Sequence, residues 1–533
     1  MNIISFIDSH TSSAALICDD KIEVLISEER FTKKKGQICY PKKSIDYCLK
    51  VLGKRKLDIV LCNGKIAADP FSIRLARAST HSIHDWIEEQ HKFQKPLLIE
   101  GKSVSKIKKN YLLSSLRKKK YPNTNYLGIN KVKWHYDNTD KDRNLFRKVQ
   151  IKTIMNHLKV DKNQIKFPEH HPSHAAYAYF ASPFRGKKTI IFTMDAVGEK
   201  INATISIVKN DRIKEIFRTG NCNIGRLWKY ITLLLGMKPD EHEYKVMGLA
   251  PYSHFEYSKQ VLNIFKNKFQ KTKGYKFLNC GAIKDIYFSF QKIFEPYRFD
   301  NIAGGLQLYT EEIITKWISH ALKKHKIGRV VFSGGVSMNI KLNKSISEIK
   351  EVKELFVPAS GGDESLALGN YYSLFGNKRT RPLNNIYLGP KYSDSEIKKA
   401  IYKNRKKDYL ILKNITNQQV AKYLALGLVG ARFSERMEFG ARALGNRSII
   451  ADPSKIEVLK KINKQIKNRD FWMPFTPTIL DFKEKSYIKN PKKIFSPHMT
   501  IAFNSTELGK EHLKAAIHQY DLTVRPQILK RKF

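Results

Sequence analysis

Apolar residues in this chain come in short runs separated by polar turns. Asn2 to Ile7 is one run, and Asp8 to Ser13 a polar turn after it. Ala14 to Cys18 is a second run, Asp19-Asp20 a tight turn, and Ile22 to Ser27 a third run. Runs of this length bounded by turn residues read as the strands of a meander. The layout returns later. Thr189 to Met194 is apolar, Asp195-Ala196-Val197-Gly198-Glu199 turns, Ala203 to Val208 follows, Asn210-Asp211 turns again, and Ile213 to Phe217 closes the set. Two meanders, each opening on an acidic loop, predict a duplicated α/β core with a ligand held between the halves.

Two glycine loops extend that pattern. Arg329 to Phe332 reads as a strand, Ser333 to Ser337 as a turn, and Met338-Asn339 as the start of a helix. A strand, glycines and a helix N-terminus in succession can hold a phosphate or an adenosine, which makes Gly334, Gly335, Ser337 and Asn339 candidate nucleotide contacts. The strand Leu355 to Val357 leads into a second such loop, with Gly361 and Gly362, before a helix from Leu366. With these loops the duplicated core reads as an actin-like (ASKHA) ATPase. Asp363 stands at the loop-to-helix junction, where a carboxylate serves either as a metal ligand or as a helix N-cap. Upstream, Pro168 suits the first turn of a helix that continues through Ala175 to Phe180. His170 and His174 are four apart on it, so their rings share a face and can share a metal. The alternative is a pair of packing histidines on an alanine-rich helix.

Composition narrows the setting. A chain of 533 residues allows two to four domains. No window has the continuous apolar length of a membrane helix, and Met1 to Leu16 lacks the features of a signal peptide. The six cysteines are scattered without a C-x-x-C pair. A cytoplasmic protein with reduced thiols and no membrane partner is expected. Lys and Arg number 97 against 49 Asp and Glu, a formal net charge of +48. An AT-rich genome inflates lysine but does not deplete acids, so the imbalance points to a polyanionic partner, nucleic acid above all. A basic insertion at about 100–150 carries Lys102, Lys106, Lys108, Lys109, Arg117, Lys118, Lys119 and Lys120, interleaved with Tyr111, Tyr121, Tyr126, Trp134 and Tyr136. Cations among aromatics suit backbone neutralisation and base stacking. A solvated surface over core aromatics is the competing reading.

Longer motifs carry a family resemblance. In order along the chain stand Ser27-Glu28-Glu29-Arg30-Phe31-Thr32-Lys33-Lys34-Lys35, His170-His171-Pro172-Ser173-His174-Ala175-Ala176, Lys245-Val246-Met247-Gly248-Leu249-Ala250-Pro251-Tyr252 and Ser333 to Asn339. The most specific is Glu435-Arg436-Met437-Glu438-Phe439-Gly440-Ala441-Arg442-Ala443-Leu444-Gly445-Asn446-Arg447-Ser448, followed by Asp452-Pro453, Lys467-Asn468-Arg469 and Pro474-Phe475-Thr476-Pro477. Together they resemble the O-carbamoyltransferases of the nodulation-factor and antibiotic-tailoring type, up to about residue 480.

The resemblance implies an actin-like domain over 1–376 and a YrdC-like α/β domain over 385–533, joined within 377–385. It implies that the C-terminal domain makes carbamoyl-adenylate from carbamoyl phosphate and ATP with Mg. The N-terminal domain then passes the carbamoyl group to an acceptor hydroxyl and releases AMP. Arg442, Arg447, Lys467, Arg469 and the late Arg525 would supply the cations for those anions, since guanidinium forks match phosphate oxygens. His170, His174 and Asp363 match the family's iron-site positions, with Asp195 beside the phosphates or metal. Fe(II) suits this set, and another divalent metal such as Zn or Mn would satisfy the same ligands. His10 matches the loop histidine near the acceptor hydroxyl and is the expected base.

Departures stand at Thr11, where an acid commonly follows the loop histidine, at Tyr244 in place of a glycine, and at Met473 in place of an arginine. The resemblance also leads one to expect more chain after Asp521 to Arg525 than the stretch to Phe533 provides, so the C-terminal domain is either minimal or truncated.

The acceptor is not given by the family. The charge favours a nucleic acid, with a 5-hydroxymethylpyrimidine base of DNA offering the primary alcohol, flipped out or single-stranded. Two alternatives stay open: a sugar or other small-molecule hydroxyl, and a non-catalytic actin-type nucleotide-dependent binding protein. Oligomeric state is open too, a homodimer being the alternative to a monomer.

Overall fold

The computed structural model describes residues 1–118, 123–281, 283, 285–376, 380–404 and 410–531. The chain divides into two compact units, Met1–Leu383 and Asn384–Phe533.

The first unit contains two five-stranded sheets. In the first, β1 (Asn2–Ile7), β2 (Ser13–Cys18) and β3 (Lys21–Ser27) form an antiparallel meander. Next to β1 on its other side runs β4 (Ile59–Cys62), in parallel, and beyond it β5 (Ile165–Lys166). In the second sheet, β6 (Thr189–Gly198), β7 (Ile201–Lys209) and β8 (Arg212–Thr219) form the meander. Parallel to β6 runs β9 (Arg329–Ser333), followed by β10 (Glu354–Phe356). The orders β3-β2-β1-β4-β5 and β8-β7-β6-β9-β10 are the same. The duplication expected from the two meanders is therefore present, as an actin-like α/β architecture. β1 and β2 are buried almost end to end, which explains why they read as continuous apolar runs and not as alternating ones.

Six helices position the site. They are α1 (Lys42–Leu52), α2 (Val104–Lys118), α3 (Thr139–Leu158), α4 (His170–Phe180), α5 (Phe299–His325) and α6 (Leu366–Phe375). α4 and α6 pack on each other; α6 lies against β1 and α4 against β6, so the pair joins the two sheets. A side chain at Gly369 would meet the Ser173 carbonyl at 2.4 Å, so glycine is what allows this close approach. Asn370 on α6 accepts from the Ser173 hydroxyl and from the Asn63 amide, tying α4 to the end of β4.

Three local expectations change. Pro168 precedes α4 without entering it; Glu169 is the N-cap, and Pro172 occupies the first turn. The segment Asp195 to Gly198 continues β6, with an irregular register between Met194 and Gly198, where a plain turn was expected. Gly335–Met338 is a single tight turn, and the following helix starts at Ile340, capped by the Asn339 side chain.

The insertion also differs from the expected stacking surface. Ile107, Tyr111 and Leu112 of α2 pack into a core with Phe71, Leu75 and Phe93. Tyr126 is buried, and its hydroxyl donates to the Asp8 carboxylate. Tyr111 and Tyr126 are therefore core residues and offer no ring to a base. Lys106 and Lys109 are exposed, while Lys108 is half-buried near Thr139 and the Phe71 ring. Lys119 and Lys120 lie outside the described residues, as do the side chains of Arg117 and Lys118.

The second unit is a smaller α/β assembly. Gly430–Phe433 pairs antiparallel with Arg447–Ile450, Thr478–Leu480 runs parallel to Gln527–Leu529, and Phe503–Ser505 lies between Ile488–Lys489 and Thr523–Val524. Among the described residues no helix is long and apolar enough to cross a membrane.

Candidate active site

Four side chains converge at the junction of the two halves. His170 and His174 come from the first turns of α4, Asp195 from the end of β6, and Asp363 from the loop before α6. Their ligand atoms all lie within 4.8 Å of one another. Asp195 Oδ2 is 3.5 Å from His170 Nε2 and 3.2 Å from His174 Nε2. Asp363 Oδ1 is 3.6 Å from His170 Nε2 and 3.5 Å from His174 Nε2. Neighbouring donors bonded at about 2.0–2.2 Å to one tetrahedral ion stand roughly 3.3–3.6 Å apart.

The polar atoms support the same reading. His170 Nε2, His174 Nε2 and Asp195 Oδ2 are shielded from solvent and have no partner in hydrogen-bond geometry. Buried polar groups are nearly always satisfied, so lone pairs aimed at a common point fit a cation there. The residues therefore fit a divalent metal, with two imidazoles and two carboxylates as its donors. The electrostatics agree. Burial disfavours the imidazolium of His174, but the facing carboxylates of Asp195 and Asp363 outweigh it and raise its pKa to about 9. Burial alone would raise the Asp195 carboxyl, yet the two imidazoles hold it well below the usual range. In the absence of a cation these acids would draw a proton into the cluster.

His171 does not join the cluster. Its Nδ1 is 2.7 Å from the Thr193 hydroxyl and its Nε2 is 3.1 Å from the Ile201 carbonyl, so it anchors α4 to β6 and β7. Burial lowers its pKa to about 3, which keeps it neutral.

His10 lies on the loop after β1. The neighbouring Ser9 hydroxyl donates to Asp363 Oδ2 at 3.2 Å, which joins this loop to the cluster. His10 Nε2 is 3.2 Å from the Asp240 carbonyl, which can only accept, so Nε2 carries the proton. Nδ1 then faces the Thr11 hydroxyl at 3.2 Å. Burial opposes charge on His10, while Asp240, Asp363 and Glu364 raise its pKa. Asp240 reaches His10 from a distant loop, a contact that sequence spacing could not reveal. The loop acid of the first half, Asp8, is turned away. Tyr126 and Gln150 of the insertion donate to it, whereas its counterpart Asp195 faces the cluster.

The glycine loops border the same place. Gly334 and Gly335 lie against Met194 and Asp195, Gly361 against Ser337, and Gly362 against Glu364. Asn339 caps the following helix and exchanges hydrogen bonds with Gln307 of α5.

In the second unit the five expected cations separate. Arg447 donates to the carbonyls of Ser434, Glu435, Asn446 and Pro390, and its guanidinium lies 3.7 Å over the Phe433 ring. Those bonds hold a turn and a strand pair together, while the Nε of Arg447 has no partner. Lys467 is exposed at the end of a helical turn. Arg525 is buried; burial and then the charges of Arg442 and Arg469 push its pKa well below the usual guanidinium range. Its Nη2 reaches the Thr476 hydroxyl at 3.3 Å, while its Nε has no partner. Arg442 and Arg469 are near enough to act on Arg525 through their charge, and guanidiniums from three segments suit a multiply charged anion.

Comparison with known proteins matches residues 3–371 to the carbamoyltransferase N-terminus and residues 421–533 to the carbamoyltransferase C-terminus. The chain belongs to the carbamoyltransferase family. This carbamoyltransferase is 30% identical to an uncharacterized protein of Methanocaldococcus jannaschii, over 99% of this chain and 87% of that one. It is 24% identical to the nodulation protein NolNO of Sinorhizobium fredii, over 98% of this chain and 70% of that one. Among solved structures it is similar to the activator of the 2-hydroxyisocaproyl-CoA dehydratase of Clostridium difficile, at 12% identity and a TM-score of 0.35, covering 78% of this chain and 100% of that one. Membership in a transferase family sets aside the reading of a non-catalytic nucleotide switch.

Proposed function

We propose that this carbamoyltransferase is ATP-dependent and moves the carbamoyl group of carbamoyl phosphate, through carbamoyl-adenylate, to an acceptor hydroxyl. The observation that carries the reading is the His170–His174–Asp195–Asp363 cluster, linked through Ser9 to the loop that bears His10. In the second unit Arg442, Arg469 and Arg525 hold the anionic reactants; one water is consumed as phosphate leaves carbamoyl phosphate and the resulting carbamate displaces pyrophosphate from ATP. In the first unit His170, His174, Asp195 and Asp363 hold a divalent metal, Fe(II) or another ion of similar preference, which supplies a Lewis acid for the carbamoyl carbonyl. The glycine loops at Gly334-Gly335 and Gly361-Gly362 border the nucleotide.

His10 supplies the base. With its proton on Nε2 fixed by the Asp240 carbonyl, the free lone pair is on Nδ1. An acceptor hydroxyl taking the position now held by Thr11 donates its proton there. Its oxygen bonds to the carbamoyl carbon as the bond to the AMP oxygen breaks. A hydroxymethylpyrimidine in DNA is the acceptor favoured by the +48 charge. A small-molecule or sugar hydroxyl is the second reading, favoured by the burial of Tyr111 and Tyr126, which removes the expected stacking platform.

The test is to incubate the protein with ATP and carbamoyl phosphate and to follow AMP. Hydroxymethylcytosine DNA and a panel of sugar alcohols are offered in parallel. Carbamoyl-phosphate-dependent AMP and a carbamoyl mass increment on DNA are expected. ADP, or no nucleotide product, would sink the chemistry, and an increment confined to the sugars would sink the DNA acceptor.

A further inference from the structure

The helix α3, which runs on past the insertion, carries a feature that α2 lacks. Along α3, Lys148, Lys152 and Met155 recur at i, i+4 and i+7, and Lys159 follows as the helix C-cap. That spacing lays them in one stripe. With Ile151, Asn156, Val160, Asp161 and Lys162 they line an open groove of about 590 Å³. The four lysines are exposed, and Ile151 and Val160 give the groove an apolar floor.

Four lysines against the single carboxylate of Asp161 leave the groove net positive. Asp161 itself meets the turn Lys162–Gln164 through its backbone, its N–H donating to the Gln164 side chain. Among the described residues none of the four lysines has a carboxylate partner. The two arginines of α3 are occupied: Arg143 pairs with Asp140, and Arg147 donates to Gly64 and Lys65 and lies 3.6 Å over the Phe167 ring. The opposite face of α3 is core, with Phe146, Val149, Thr153 and Ile154 buried and Gln150 donating to Asp8. Asp8 is two residues from His10. The helix therefore stands between the basic stripe and the loop of the base, at a separation of about one helix diameter, 10–12 Å.

The geometry points to this groove, and not to α2, as the surface that grips a nucleic-acid backbone, with Lys148, Lys152, Lys159 and Lys162 on the phosphates and the apolar floor against the sugars. Charge complementarity selects the occupant: a row of unpaired lysines along a straight element matches a row of phosphates. The inference rests on the DNA reading of the acceptor, and its test is independent of the transfer chemistry.

A short fluorescein-labelled DNA, single- and double-stranded, is titrated with the full chain across a salt series and followed by anisotropy. Each lost phosphate contact lowers the log–log salt slope by about 0.7–0.9, so Lys148→Glu/Lys152→Glu/Lys159→Glu should lower it by about 2–3 and weaken binding at least tenfold. The same charge change at Lys271, Lys273 and Lys276, exposed on a hairpin elsewhere in the unit, should leave most of the binding intact. Equal losses in the two variants, an unchanged slope in the first, or no binding by the wild type at the lowest salt would each overturn the groove. Carbamoyl-phosphate-dependent pyrophosphate release from ATP, which needs no acceptor, is measured without DNA on the same three proteins. Its absence in the wild type would remove the carbamoyl-transfer reading while leaving the binding result to stand or fall alone.

Discussion

At the residue scale, the run His170-His171 to His174 shows how little spacing alone decides. Three histidines lie on one helical turn, and the distinction between ligand and anchor comes from what each ring meets. His174 has two carboxylates before it and no satisfied nitrogen, whereas His171 has a hydroxyl and a carbonyl. His174→Ala should therefore abolish bound metal in the purified protein, read by elemental analysis, with a modest change in unfolding. His171→Ala should retain the metal and lose about 2–4 kcal/mol of stability in urea, because it removes the contacts to Thr193 and the Ile201 carbonyl and opens a hole in the core. Metal loss in both would mean that the ring contacts do not separate their roles. The sequence paired His170 with His174 because the i,i+4 rule is local. It could not find Asp240 behind His10, which depends on a loop 230 residues away. Nor could it find the carbonyls that hold the Arg447 guanidinium, which are invisible to a composition argument.

At the element scale, the strands were legible because burial on both faces forces continuous apolar runs, and tight acidic turns mark their ends. The exception is Asp195 to Gly198, where the chain stays extended past the last apolar residue. A side chain at Gly198 would stand 2.3 Å from the His170 ring, so the strand must remain bare where it passes α4. Gly198→Ala should displace His170 and reduce metal content severalfold with little loss of secondary structure by circular dichroism; unchanged metal would show that the strand can yield. Glu28 belongs to the first of the motifs that carry the family resemblance. It is fully buried and accepts from the backbone N–H groups of Lys43 and Ser44 and the Ser44 hydroxyl, so it fastens the first turn of α1 under β3. Glu28→Ala should lower stability by about 1–3 kcal/mol without altering metal content.

At the scale of the whole molecule, the two units carry sites of opposite electrostatic character. The first gathers carboxylates and imidazoles around a place for a cation, and the second crowds guanidiniums around a place for an anion. Each should be relieved by its own ligand. Arg525 makes the second case measurable, since its charge is buried beside Arg442 and Arg469 and, among the described residues, faces no carboxylate. An anion that binds only the folded unit stabilises it by about 2.7 kcal/mol at a hundred times its dissociation constant. For a unit of this size that is a rise of several degrees in Tm, at roughly 2–4 °C per kcal/mol. Pyrophosphate should therefore raise the Tm of the wild type, whereas Arg525→Met should start no lower, because a buried repulsion has gone, and should gain little from the anion. Its metal content should match the wild type, since the cluster lies in the other unit. An undiminished response to pyrophosphate in the variant would show that the three guanidiniums do not form the anion site.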